Sequence, residues 1–166
     1  MEESKAFKKL NIFISHHHRD ASIGIKLKEC IDSLFLQQHE IFLSSDMAPG
    51  HDWFKKIIEF LEKEAMTLVL TTRDSIKRPW VWFEVGASWY AKKIVIPICF
   101  KGVTKKNLPE PLSRLTALNL RPRDLVKLFE TIAVHSNCRL EKKIINDTIK
   151  NKFSHIFKKA ARRKKA

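Results

Sequence analysis

The residues best suited to chemistry lie in the segment Arg78-Pro79-Trp80-Val81-Trp82-Phe83-Glu84-Val85-Gly86-Ala87-Ser88-Trp89. Trp80 and Glu84 are spaced i and i+4, so on a helix they share one face, which Ala87, Ser88 and Ala91 continue with small side chains. A carboxylate beside an aromatic platform can grip a sugar or steady a developing cation. The same pattern also describes a solvated first-turn Glu above aromatics that are merely core. Pro79 suits the start of a helix, placing Glu84 in about the first turn, where the positive helix end keeps a carboxylate ionised. A second cluster is the run His16-His17-His18. Imidazole is a common metal ligand, yet consecutive side chains diverge and no second ligand cluster stands at a usable spacing. The run reads as a loop lining a cleft, and any charged imidazole there would attract a pyrophosphate. Cys30 could pair with a histidine as a nucleophile, but it falls inside a helical pattern.

These groups need elements to position them. Residues 10–14 read as a buried strand. Asp20 can cap a helix to about residue 35, with Ile23, Leu27, Ile31 and Leu34 at helical spacing. Residues 41–43 form a second short strand, and 44–51 a loop containing Pro49-Gly50. Asp52 can cap a helix with Phe54, Ile57, Ile58, Leu61 and Ala65 on one face; Trp53 at its start reads as core packing. Residues 67–72 are a third strand, 73–79 a loop, and 80–92 the helix carrying Glu84. A fourth strand spans 94–100, where Pro97 indicates an edge or a bulge. A weaker strand or turn at 115–120 and a helix over 122–134 follow. Continuous apolar strands alternating with amphipathic helices predict an α/β, flavodoxin-like three-layer domain, with a central parallel sheet of about five strands. Ligands of such sheets bind at the carboxyl ends of the strands. A phosphoacceptor receiver shares this topology, but the third strand ends Thr71-Thr72-Arg73 and lacks the required Asp.

Beyond residue 136, Leu140, Ile144, Ile145, Ile149, Phe153, Ile156, Phe157 and Ala160 recur at three and four residues. The expected division is a domain over 1–136 and a basic amphipathic helical tail over 137–166. Composition sharpens this. The chain of 166 residues carries a net +14, but residues 139–166 hold 11 basic and 2 acidic side chains, a net +9, leaving only +5 on the rest. Phe153 and Phe157 sit on the apolar face rather than among the charges, which argues against base stacking. The tail reads as a helix packed by its apolar stripe, a docking element, or, less favoured, a contact to nucleic acid or an anionic membrane. Only 4 glycines are present, where ordinary usage gives about 12, and no glycine-rich phosphate cradle occurs. Three unpatterned cysteines, the acidic start Met1-Glu2-Glu3 and the lack of any run of spanning length predict a cytoplasmic protein without a secretory leader.

Taken in order, several short segments resemble bacterial TIR (Toll/interleukin-1 receptor homology) domains. They are Ile12-Phe13-Ile14-Ser15-His16, the stretch from Ser44-Ser45-Asp46 through Pro49-Gly50 to Trp53, Leu68-Val69-Leu70-Thr71-Thr72 with Ser75, the Trp80-to-Glu84 spacing, and Leu108-Pro109-Glu110-Pro111-Leu112. The resemblance runs from about residue 10 to 134. It implies an NAD+ glycohydrolase in which Glu84 is catalytic and Trp80 its partner, with NAD+ as substrate and no cofactor or metal. Ser15 to His18 would form the opposite lip of the cleft, with Ser15, His16 and His17 contacting substrate. Ser45 and Asp46 would belong to a loop that changes shape when domains stack; Asp46 either contacts substrate or a neighbouring protomer, or bonds its own backbone as a turn residue. The resemblance further implies a bacterial antiviral effector that self-associates and answers to a sensor or activator. Its alternatives are a non-catalytic interaction module of the same fold and a nucleoside deoxyribosyltransferase-like enzyme, for which no second sugar-directed acid is evident. Expelling neutral nicotinamide needs no general acid, so one fixed carboxylate suffices for an oxocarbenium-like transition state.

Overall fold

A computed structural model describes residues 6–44, 53–63 and 65–163. Five parallel strands, β1 (Asn11–Ser15), β2 (Glu40–Leu43), β3 (Ala65–Thr71), β4 (Ile94–Cys99) and β5 (Leu118–Asn119), form one sheet in the order β2-β1-β3-β4-β5. Helices α1 (Ala21–Leu34), α2 (Trp53–Glu62), α3 (Pro79–Tyr90), α4 (Pro122–His135) and α5 (Lys142–Arg163) complete the chain. The α/β, flavodoxin-like expectation is met.

Alternation along each strand divides the core between the two faces of the sheet. Ile12 and Ile14 of β1, Leu68 and Leu70 of β3, and Ile96 and Ile98 of β4 pack with α1, α4 and α5. Val69, Val95 and Cys99 turn the other way and meet Val81 and Val85 of α3. Phe13 joins them on that face, against Phe60 of α2. Pro97 pairs with Val69, and β5 covers β4 only at Ile98 and Cys99. The imino acid therefore sits just before the outermost two-residue pairing, as a missing N–H requires.

Three local expectations change. Ala65 opens β3 instead of closing the preceding helix. The segment before α3 contains a 3-10 turn, Ser75–Lys77, and is not loop throughout. Asp20 precedes α1 but makes no side-chain cap bond; its carboxylate is buried elsewhere. The predicted cap at Asp52 lies outside the described residues, and Trp53 is described only as the start of α2.

The basic terminal helix is packed by its apolar stripe. Ile145, Ile149 and Phe153 are buried in the larger core cluster, against α1 and α4. Each such side chain contributes on the order of 1.5–3 kcal/mol. Flanking ion pairs Lys152–Glu29 and Lys142–Glu130 fix the helix from both sides.

At the amino end of the sheet, buried His39 links the starts of β1 and β2 to the end of α4. Its Nδ1 accepts from the Leu10 N–H at 3.2 Å, and Nε2 faces Ser136 Oγ at 3.2 Å. Ser136 directs its own hydroxyl to the Ile132 carbonyl, so Nε2 carries the proton and the ring is neutral. Burial pushes the His39 pKa down.

Candidate active site

β1 ends at Ser15 and α3 begins at Pro79, and the two termini meet at the carboxyl end of the sheet. The i, i+4 spacing is realised: Trp80 Nε1 donates to Glu84 Oε1 at 2.6 Å. Ser15 donates its hydroxyl to Oε2. Behind the carboxylate the helix is locked to the sheet through Ser88, whose Oγ donates to the Glu84 carbonyl at 2.8 Å and lies 2.9 Å from Thr67 Oγ1. Small residues on this face thus bring α3 close to β3.

Glu84 itself departs from the first-turn expectation. It is the sixth residue of α3, only 1% exposed, and burial pushes its pKa up to about 7 against the opposing hydrogen bond from Ser15. The helix end does not keep it ionised, because loss of water outweighs a terminal field that fades within one turn. Among the described residues no cation lies against it. Trp80, by contrast, is 39% exposed, and its ring meets Phe83 at 5.0 Å.

The histidine run forms a turn that lines this end of the sheet. His17 accepts from the Arg19 N–H through Nδ1 at 3.1 Å, and its ring lies 4.1 Å from that of His18. Burial, then His18 and Arg78, lowers its pKa, so at neutral pH it is an uncharged lip and the expected imidazolium attraction for pyrophosphate does not come from it. His16 is buried over the bare backbone of Gly24, where an added Cβ would meet the imidazole at 3.2 Å. Its Nδ1 donates to the His17 carbonyl at 3.0 Å, and Nε2 is buried without a hydrogen-bond partner among the described residues. Among the described residues no group of three metal-ligating side chains converges. Ser45 and Asp46 lie outside the described residues.

Sequence reasoning missed a second buried carboxylate at this end. Asp20, 1% exposed, accepts from Thr72 Oγ1 at 3.0 Å and from Lys101 Nζ at 2.5 Å. The Lys101 partner is 81 residues away, and no local spacing signals it.

A model of the TIR domain family matches residues 12–132. The chain belongs to the TIR domain family. No curated protein matches it in sequence. The crystal structure of the TIR domain of the Toll-related Receptor TRR-2 from Hydra magnipapillata is similar in fold, with a TM-score of 0.56 at 18% identity, covering 76% of this chain and 96% of that one. TIR domains include NAD+-cleaving enzymes and non-catalytic signalling modules, and they commonly self-associate. No described helix of this TIR domain is long and apolar enough to cross a membrane.

Proposed function

We propose that this TIR domain is an NAD+ glycohydrolase acting as an effector in bacterial antiviral defence, activated by assembly. One observation carries the reading. Among the described residues Glu84 is a carboxylate buried without a counter-cation, held in place by two neutral donors, Trp80 and Ser15. Such a group gains most from a substrate that brings its own positive charge.

Nicotinamide is a cation while attached to ribose. As the C1′–N bond breaks, both bonding electrons leave with the ring, nicotinamide departs neutral, and the positive charge moves onto the ribose as an oxocarbenium. Glu84, ionised, accepts hydrogen bonds from the ribose hydroxyls and opposes that charge. Water adds at C1′ and loses a proton, giving ADP-ribose; an adenine nitrogen taking the place of water gives the cyclic form. Ser15 and Trp80 already occupy the carboxylate oxygens, so they must yield before ribose can enter. A capped resting site of this kind supports activation by TIR–TIR contact, triggered by a sensor or activator protein.

The same capping favours a second reading, a non-catalytic module in which Glu84 only ties α3 to β1. Nicotinamide release separates the two. The glycohydrolase reading expects release from NAD+ by concentrated or artificially clustered protein, abolished in Glu84→Gln. Absence of release under every clustering condition overturns it.

A further inference from the structure

A cavity of about 350 Å³ opens beside the Glu84 site, lined by His17, Arg19, Asp74, Lys77, Arg78 and Pro79. Its walls run directly into the residues that hold the carboxylate. His17 lies two positions past Ser15, and Pro79 immediately precedes Trp80. Three of the lining side chains are permanent cations and one is a carboxylate. Asp74 is already engaged by Arg19, at 3.6 Å across the rim. His17 is uncharged but keeps a proton on Nε2, because its Nδ1 accepts from the Arg19 N–H. Lys77 and Arg78 have no carboxylate against them among the described residues. A concave site with two such cations is suited to an anion with several oxygens, and the flat guanidinium of Arg78 suits a phosphoryl group in particular.

We infer that this cavity is a diphosphate-binding site: Lys77 and Arg78, with Arg19 at the rim, seat the pyrophosphate of a dinucleotide whose ribose reaches Glu84. The inference rests on the glycohydrolase reading for its ligand and extends it by naming the phosphate-recognising residues. It also settles the strand-end division of labour. Uncharged His17 shapes the lip, and the charge comes from the segment before α3.

Inorganic pyrophosphate is the probe, titrated calorimetrically into the whole chain. Wild type and Glu84→Gln are expected to bind it equally, since Glu84 does not line the cavity. Lys77→Gln and Arg78→Gln should each weaken binding about tenfold, as loss of one charge-assisted contact does. Asp74→Asn should tighten it. Lys143→Gln, at an exposed lysine of α5, should leave it unchanged. Under clustering, Arg78→Gln should raise KM for NAD+ about tenfold with kcat nearly intact, the pattern of lost binding shared by ground and transition states. Absence of pyrophosphate binding, or equal weakening by Lys143→Gln, overturns the site. The two readings fail separately. Arg78-dependent pyrophosphate binding without nicotinamide release sinks the glycohydrolase and leaves the anion site. Nicotinamide release with a KM indifferent to Arg78→Gln and Lys77→Gln sinks the site and leaves the glycohydrolase.

Discussion

Asp20 and Glu84 are both sealed to 1% exposure at the carboxyl end of the sheet, yet opposite means hold them there. Asp20 faces the Lys101 ammonium and the Thr72 hydroxyl. It ties the turn after β1 to the ends of β3 and β4, and its charge is answered within the protein. Among the described residues Glu84 faces only neutral donors, and burial lifts its pKa to about 7. Position at a strand end therefore does not distinguish the two carboxylates. A buried acid supplied with a cation is a strut, while one without a cation is destabilised and gains from a cationic substrate.

The widest gap between the two should appear in turnover. Glu84→Gln is expected to cut nicotinamide release about a thousandfold, as removing a main electrostatic stabiliser does. Asp20→Asn should cost no more than about tenfold, through a looser lip. Equal losses in a clustered nicotinamide-release assay would erase the distinction.

Next in size is an exchange of environments. Lys101→Met strips Asp20 of its cation and leaves a buried charge, which should destabilise the fold by about 3–5 kcal/mol in urea unfolding at pH 8. A loss below about 1 kcal/mol would show that the ammonium is not what balances Asp20.

Acid–base linkage sharpens the contrast further. The Glu84 pKa is raised from 4.5 to about 7, so the folded state holds a proton that the unfolded chain has lost. That contribution to stability is complete below pH 4.5 and disappears as the pH rises through 7, a total of about 3 kcal/mol. Glu84→Gln should flatten this slope. The rate of nicotinamide release should rise over the same interval as the carboxylate ionises, and both profiles can be measured on one preparation.

The smallest effect comes from the far end of the sheet, where His39 is a buried base with a lowered pKa. Its sign is opposite. Stability from neutral His39 is present above pH 6.5 and is lost as the pH falls below it, because Nδ1 must stop accepting from Leu10. A His39→Gln chain whose acid unfolding matched wild type would remove this term.

Much of the arrangement was legible from local pattern. Unbroken apolar strands between amphipathic helices gave the layered sheet, and an i, i+4 step was enough to put Trp80 against Glu84. Pro97 foretold the thin edge of the sheet. What failed was whatever depends on distant partners. Asp20 resembles a helix cap until Lys101 is brought to it from 81 positions away. Glu84 reads as an ionised first-turn acid until Ser15 and the indole close over it. The His16–His18 run looked like a source of positive charge, but His16 is buried over Gly24, and burial, with His18 and Arg78, keeps His17 neutral. The pattern shows which residues share a helix face but not how much water remains around them.

The packing of α5 bears on how this protein should be handled at the bench. The family match stops at residue 132, an inviting place to end a clone. A chain cut there would lose Ile145, Ile149 and Phe153 and lay bare the greasy surfaces of α1 and α4 that they cover. Such a fragment would clump, and TIR domains commonly self-associate, so a truncated preparation would confuse sticky material with a specific assembly. Expression through Arg163, with any tag beyond it, avoids that artefact.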